Sequence, residues 1–397
     1  MTSSSTASIF ERLESLGDRP LEVANQLVQH FRQSGKPVEL FEAIKMATRL
    51  QMGLKAVALT DEPKLSPEVE RQLEDGLLQG CREAGGMMIR QGRLMEGWMY
   101  LRPVGDRELV RRLLADVEFD DDNYDAMIQI LVHEQVDVGR GYAAVLEHQG
   151  TCNSITLYEQ TISQLPRTDQ QAAAACLLDH FLQELTSLVR LDVQRLAPED
   201  SSIETMTLGE LLVAHPVILE GGGYHLDTTH LASVVRIASV LESASDWQKA
   251  LDLTEYGRRL DQQFQYPGDE PFVDFYPAYG TLYRTLLGKN VNAGLQLFER
   301  RARTVEVAQH GTAAIETYIE LLARMGRHQM AIQQAVQLMP DDVPTQSVLA
   351  RLLEWFPLVE ANQQDATRDL LQDFCCRRDD PLGFAAVAGS INDARGQ

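Results

Sequence analysis

The chain has 397 residues, enough for two or three domains or one extended repeat array. Its hydrophobic content of 44% allows a sizeable buried core, and no apolar run reaches the ~18 residues of a membrane span. With 36 basic against 58 acidic residues the formal net charge is −22, which repels nucleic acid and anionic lipid over most of the surface and argues against both as partners.

The opening segment, MTSSSTASIF, has no basic stretch ahead of an apolar core, so it does not read as a secretory signal. The cysteines are Cys81, Cys152, Cys176, Cys375 and Cys376. Their number is odd and no CxxC occurs, which suits a reducing compartment, and a cytoplasmic location is expected.

Nearly every segment has helical periodicity. In residues 1–105, VQHFRQSGKPVELFEAI carries Gly35 and Leu40, and MMIRQGRLMEGWMYLRP carries Gly92, Gly97 and Pro103. Residues 106–225 differ. They begin near EFDDDNYDAM, which lacks the order of a calcium loop and reads as a solvated helix entry. Helices are expected over 124–134, 141–148, 154–165 and 170–196, and PEDSSIET (Pro198 to Thr205) reads as an exposed linker. In 226–397, Leu231, Val234, Val235, Ala238 and Leu241 form the stripe of a half-buried helix, as do Ile315, Tyr318, Ile319 and Leu322.

Three further segments repeat one device. LLARMGRHQMAIQQAVQLMP has Gly326, Ala331 and Pro340. VLESASDWQKALDLTEYG has Ser245, Trp247 and Ala250. LYRTLLGKNVNAGLQLF has Gly288 and Ala293. A glycine permits the tight turn between two helices. A small residue five positions on lets the second helix lie close, and a proline ends it. These features resemble the tetratricopeptide (TPR) repeat over roughly residues 230–342, and more faintly over about 20–105. The unit spacings, 43 from Ser245 to Gly288 and 38 from Gly288 to Gly326, exceed the family period of about 34. The resemblance implies an all-α fold, a right-handed stack of antiparallel helical hairpins (a TPR-like α-solenoid). Residues 1–105, the divergent, His-rich middle segment 106–225 and residues 226–397 would together form one continuous array. It also implies a scaffold that binds a protein or peptide partner in a concave groove.

The candidate chemistry gathers in the middle. In GGGYHLDTTHL (Gly221 to Leu231), His225, Asp227 and His230 fall together beside a helix start. They can contribute to a divalent metal site, or Asp227 can simply cap the helix. His180 and Glu184 share a helix face, as metal ligands in helical bundles do and as surface ion pairs also do. His148 ends one helix just before Gly150. Cys152, in the turn after it, is the candidate reactive thiol, with a small buried residue as the plainer reading. If His148, His180 and Glu184 met the His225 segment, the chain would be a helical metal-binding protein or metalloenzyme. That is the alternative to a scaffold, and the residues do not decide whether the chain is an enzyme. Finally, FQYPGDEPFVDFYPAYG (Phe264 to Gly280) breaks the repeat pattern. Its Tyr266, Phe272, Phe275 and Tyr276 either clamp a ligand or plug the groove with their own rings. No GxxxxGK[ST] or GxSxG motif occurs.

Overall fold

The three-dimensional structure is a computed structural model, and it describes residues 3–59, 64–198, 201–220 and 222–394. The expectation of an all-α protein holds: there are twenty α-helices and no strand among the described residues. No described helix is long and apolar enough to cross a membrane. The chain forms two compact units, Met1–His148 and Gln149–Gln397.

The first unit contains α1 (Ser3–Ser15), α2 (Pro20–Gln33), α3 (Pro37–Gln51), α4 (Pro67–Arg90), α5 (Leu94–Leu101), α6 (Arg107–Leu114) and α7 (Tyr124–Ile128). A π-helical turn, Gln129–His133, continues α7. The first helices pack successively, α2 on α3, α3 on α4 and α4 on α5, while α6 packs on α4 and α7 on α5. Trp98, Leu101, Val110, Leu114 and Ile130 form one buried cluster, and Ala24, Leu40 and Ala43 form another. The acidic run does enter a helix. Asp120 Oδ1 accepts from the backbone N–H of Asn123 at 2.8 Å in the turn ahead of α7.

The unit boundary falls within α8 (Val138–Gln160), which Gly150 interrupts with φ 75° and ψ 177°. The second unit continues with α9 (Arg167–Leu196), α10 (Leu208–Ala214), α11 (Thr228–Ile237), α12 (Ala244–Gly257) and α13 (Phe275–Leu286). Then come α14 (Val291–Thr304), α15 (Val307–His310), α16 (Ala313–Arg324), α17 (His328–Leu338), α18 (Thr345–Trp355), α19 (Ala361–Arg377) and α20 (Pro381–Ala394). The long α9 touches α10, α11 and α12. Beyond it, contacts run along the chain: α12 with α13, α13 with α14, α14 with α16, α16 with α17, α17 with α18 and α19, and α19 with α20. Glu199 and Asp200 of the expected linker lie outside the described residues. The rest of that segment is partly anchored: Ile203 is buried, and Arg190 donates to the carbonyls of Ile203 and Met206 at 3.0 Å each.

The glycine turns are real at the level of the backbone. Gly35, Gly92, Gly288 and Gly326 all have φ between 66° and 78°, a region closed to most side chains. In each case the following residue donates back to a carbonyl five positions earlier: Lys36 to Phe31, Arg93 to Met88, Lys289 to Arg284, and Arg327 to Leu322. This closes the helix end as a Schellman motif. Ser245 is different. It lies inside α12, and Ser243 is the N-cap, its side chain accepting from the Asp246 N–H at 3.0 Å.

A second device recurs that no turn rule foresees. Arginines from neighbouring elements donate to carbonyls at helix C-termini, where the backbone lacks internal donors and carries partial negative charge. Arg140 holds the Leu114 carbonyl at 2.7 Å, and Arg259 holds that of Leu212. Arg324 holds Ser239 at 2.8 Å and also Leu241. Arg378 holds Met339 and Pro340 just past α17 at 2.8 and 2.6 Å, and Val343 in the turn that follows at 2.7 Å.

Candidate functional site

His225 is occupied by structural work. Its backbone N–H donates to the Tyr256 hydroxyl at 3.0 Å, its Nδ1 lies 2.8 Å from the same oxygen, and its Nε2 lies 3.1 Å from Asp192 Oδ2. For a neutral ring one assignment satisfies all three contacts. Nε2–H donates to Asp192, and the Tyr256 hydroxyl donates to Nδ1 while accepting from the backbone. The His225 side chain is 9% exposed and Tyr256 is fully buried, so the set pins the incoming loop to α9 and α12. Burial pushes the Tyr256 phenol up to about 12, which keeps it protonated as this arrangement requires.

Asp227 is an N-cap. Its Oδ1 accepts from the backbone N–H groups of Thr229 and His230 at 2.8 and 3.1 Å, and from the Thr229 hydroxyl at 2.6 Å. The hydroxyl bond is the first cause of its lowered pKa. His230 follows as the third residue of α11, half-buried. Gly221, at the head of this segment, lies outside the described residues.

The other candidates are spread out. His180 Nε2 and Glu184 Oε2 are 4.0 Å apart with side chains 41% and 48% exposed, a solvent-facing pair. The His148 side chain is exposed and its ring lies 4.8 Å from that of Tyr124. Cys152 is exposed within α8 rather than sitting in a turn. Among the described residues no group of three or more His, Cys, Asp or Glu side chains is placed to hold a metal ion. The local reasons are plain: His225 has spent both ring nitrogens, and Asp227 has turned its carboxylate toward α11.

The aromatic segment mostly fills its own space. Phe272 stacks on Tyr279 at 3.8 Å and 6°, and Phe275 meets Tyr266, Tyr276 and Tyr279 at 5.2, 5.1 and 4.8 Å. Phe275 and Tyr276 are buried and Phe272 is half-buried, while Tyr266 remains 37% exposed.

A different place in the second unit has the make-up of a binding site. A cleft of about 390 Å³ opens among α12, α16, the start of α17, and α18. Trp247 and Trp355 line it with Arg167, Arg324 and Arg351. Arg324 lies over the Trp247 ring at 5.3 Å, and Arg351 over the Trp355 ring at 5.5 Å. Glu320 sits between two guanidiniums, 3.1 Å from Arg167 and hydrogen-bonded to Arg351, and Arg167 also reaches Glu242 at 3.0 Å. A hollow of about 490 Å³ adjoins it, sharing Arg167, Glu320, Arg351 and Trp355, with Ile319, Met339, Val348 and Leu352 as an apolar wall. Burial first, and the neighbouring Arg167 charge second, lower the Arg324 pKa from its usual value. Like cations are thus gathered into a partly dry space, held there by glutamates and helix-end carbonyls. Such a surface can stack planar groups, accept carboxylates and bury apolar side chains.

Compared with known proteins, the chain matches no family model and no curated sequence. No motif along the chain marks these cleft residues as a site, although Trp247 stands in one of the repeat segments. The only local signal is an arginine four positions before a tryptophan, Arg351 and Trp355, on one helix face. The rest of the site comes from helices far apart along the chain.

Proposed function

We propose that this chain is a helical-repeat scaffold whose second unit binds a protein or peptide partner. In this reading the hairpins form a TPR-like, right-handed α-solenoid with a concave binding face. Two features support it. Glycine-turned helix pairs recur at Gly35, Gly92, Gly288 and Gly326, and helices in the second half pack on their chain neighbours, as solenoid units do. Fold alone does not fix function, so the reading rests on the cleft.

The carrying observation is its composition. Two of the chain's three tryptophans and three arginines face one cleft in a protein of net charge −22. Tryptophan and arginine are the residues enriched at binding hot spots, because each buries large area with little rotamer loss or forms forked hydrogen bonds. The adjoining apolar wall suits a segment with one or two apolar anchors.

A random dodecapeptide phage library selected on the full chain tests this. Selected peptides are expected to bind the wild-type chain and to lose at least about tenfold in affinity on Trp355→Ala and on Arg351→Ala, a typical hot-spot loss. Variants that keep the wild-type circular dichroism and thermal midpoint make the comparison valid. Selection that yields no specific peptide, or peptides indifferent to both substitutions, would refute the reading.

A further inference from the structure

A second hollow in the same unit shares no lining residue with the Trp/Arg cleft and has a different chemistry. It measures about 620 Å³ and opens between α10 and α12. On one side stand Leu212, Val213 and Ala214 of α10. On the other is one face of α12, with Gln248, Leu251, Asp252 and Glu255 at helical spacing. Val213 is 79% exposed, an apolar side chain held at the rim.

Asp252 is the group without an obvious purpose. Its carboxylate rests against Gly209, where a Cβ would come within 2.7 Å of Oδ1. Any other residue at 209 would crowd it. Gln248 donates to Oδ1 at 2.8 Å, and the Gly209 backbone hydrogen-bonds the carboxylate too. Lys289 is near enough to favour the charged form, but the hydrogen bond it makes here goes to Gln248 Oε1 at 3.1 Å. These contacts do not offset burial, and the Asp252 pKa stays above the ordinary carboxylate value. The other charges on the wall are already engaged. Glu210 closes the capping box with Thr207, Glu255 pairs with Arg284 and Arg258, and Arg259 holds the Leu212 carbonyl.

We propose that this hollow binds a protonated amine carried on an apolar body, with the amine at the Asp252 carboxylate and the body against Leu212, Val213 and Leu251. A cation entering beside Asp252 compensates the charge that burial has left under-solvated, and the apolar wall selects a ligand with a hydrocarbon stem. A free alkylamine and a lysine side chain on a partner share this chemistry. The chain's net charge of −22 draws either toward the surface.

The test is calorimetric titration of the full chain at neutral pH with n-hexylamine and with 1-hexanol, which matches the stem without the charge. Two peptides separate the sources: acetyl-Leu-Lys-Leu-amide and its norleucine counterpart. The expected result is hexylamine binding at least about tenfold tighter than hexanol, a preference lost in Asp252→Asn. Val213→Ser, at an exposed position, should weaken both ligands. Binding of the lysine peptide but not the norleucine peptide assigns the site to a partner's lysine; hexylamine alone assigns it to a free amine. Equal binding of hexylamine and hexanol, no binding of any probe, or indifference to Asp252→Asn would overturn the proposal. None of these outcomes bears on the Trp/Arg cleft, which shares no residue with this hollow.

Discussion

Gly85 and Gly86 stand side by side near the C-terminal end of α4, both buried, and their surroundings give them opposite roles. A Cβ on Gly85 would lie 2.7 Å from Leu101 Cγ and 2.9 Å from the Gly97 carbonyl oxygen. A Cβ on Gly97 would in turn lie 2.9 Å from the Gly85 carbonyl oxygen. The backbones of α4 and α5 therefore approach through two facing glycines. A Cβ on Gly86 would meet nothing nearer than Leu113 Cδ1 at 3.6 Å, an ordinary contact. Replacing glycine by alanine within a helix gains roughly 0.5–1 kcal/mol from the unfolded chain's lost freedom. That gain is common to both sites. Overpacking at Gly85 costs about 1–3 kcal/mol because a carbonyl oxygen cannot step aside. Gly86→Ala should stabilise the first unit by about 0.5–1 kcal/mol. Gly85→Ala should fall below Gly86→Ala by about 1–3 kcal/mol, the steric difference alone. Native-state hydrogen exchange of the α4 and α5 amides reads this unit without the second unit's unfolding. Equal protection in the two variants, or the reverse order, would refute the close approach of α4 and α5.

Other consequences follow from the same geometry. His225→Ala leaves the buried Tyr256 hydroxyl without its ring partner, so a loss of about 1–3 kcal/mol is expected, with no change in metal content by elemental analysis. An unchanged melting midpoint would contradict the pinning role. Asp227→Ala removes the cap of α11 and should cost about 0.5–2 kcal/mol at neutral pH, while Asp227→Asn should keep most of it. The folded Asp227 pKa lies below its unfolded value, so its charge-dependent stabilisation is present above the ordinary carboxylate range. It is lost as pH falls through the lowered value. Acid melts of the wild type and Asp227→Asn should therefore converge at the low end; a constant gap would contradict the shift. Arg378→Ala strips the Met339 and Pro340 carbonyls at the end of α17, and the Val343 carbonyl in the turn beyond it, of a charged donor and should destabilise the α17–α19 contact by about 2–4 kcal/mol. Exchange protection there that matches the wild type would show the contacts to be incidental.

Much of the helical framework was legible because it rests on local rules. A glycine with positive φ closes a helix by bonds to its own preceding turn, so Gly35, Gly92, Gly288 and Gly326 announce their turns within six residues of sequence. Asp227 announces its cap for the same reason, since donor and acceptor are two and three positions apart. Ser245 shows the limit of such rules. Ser243, two positions earlier, has the same side chain and a better-placed successor, Asp246, to cap.

The candidate site was not legible, and the physical reason is distance along the chain. Histidines near a helix start look like ligands until Tyr256 and Asp192, from two other helices, take both ring nitrogens of His225. The aromatic loop looks like a clamp until Tyr279 and Phe298 receive Phe272. Arg324, unremarkable among its neighbours, becomes a partly buried cation over Trp247 because Ser239 and Leu241 offer it helix-end carbonyls. Periodicity and turn chemistry determined that this chain is helical and where several of its helices end, since those energies are settled within a turn or two. Which polar groups would be consumed by neighbours, and which left facing a cleft, was decided only when helices far apart in sequence packed together. Desolvation and hydrogen-bond satisfaction depend on those neighbours and on nothing local.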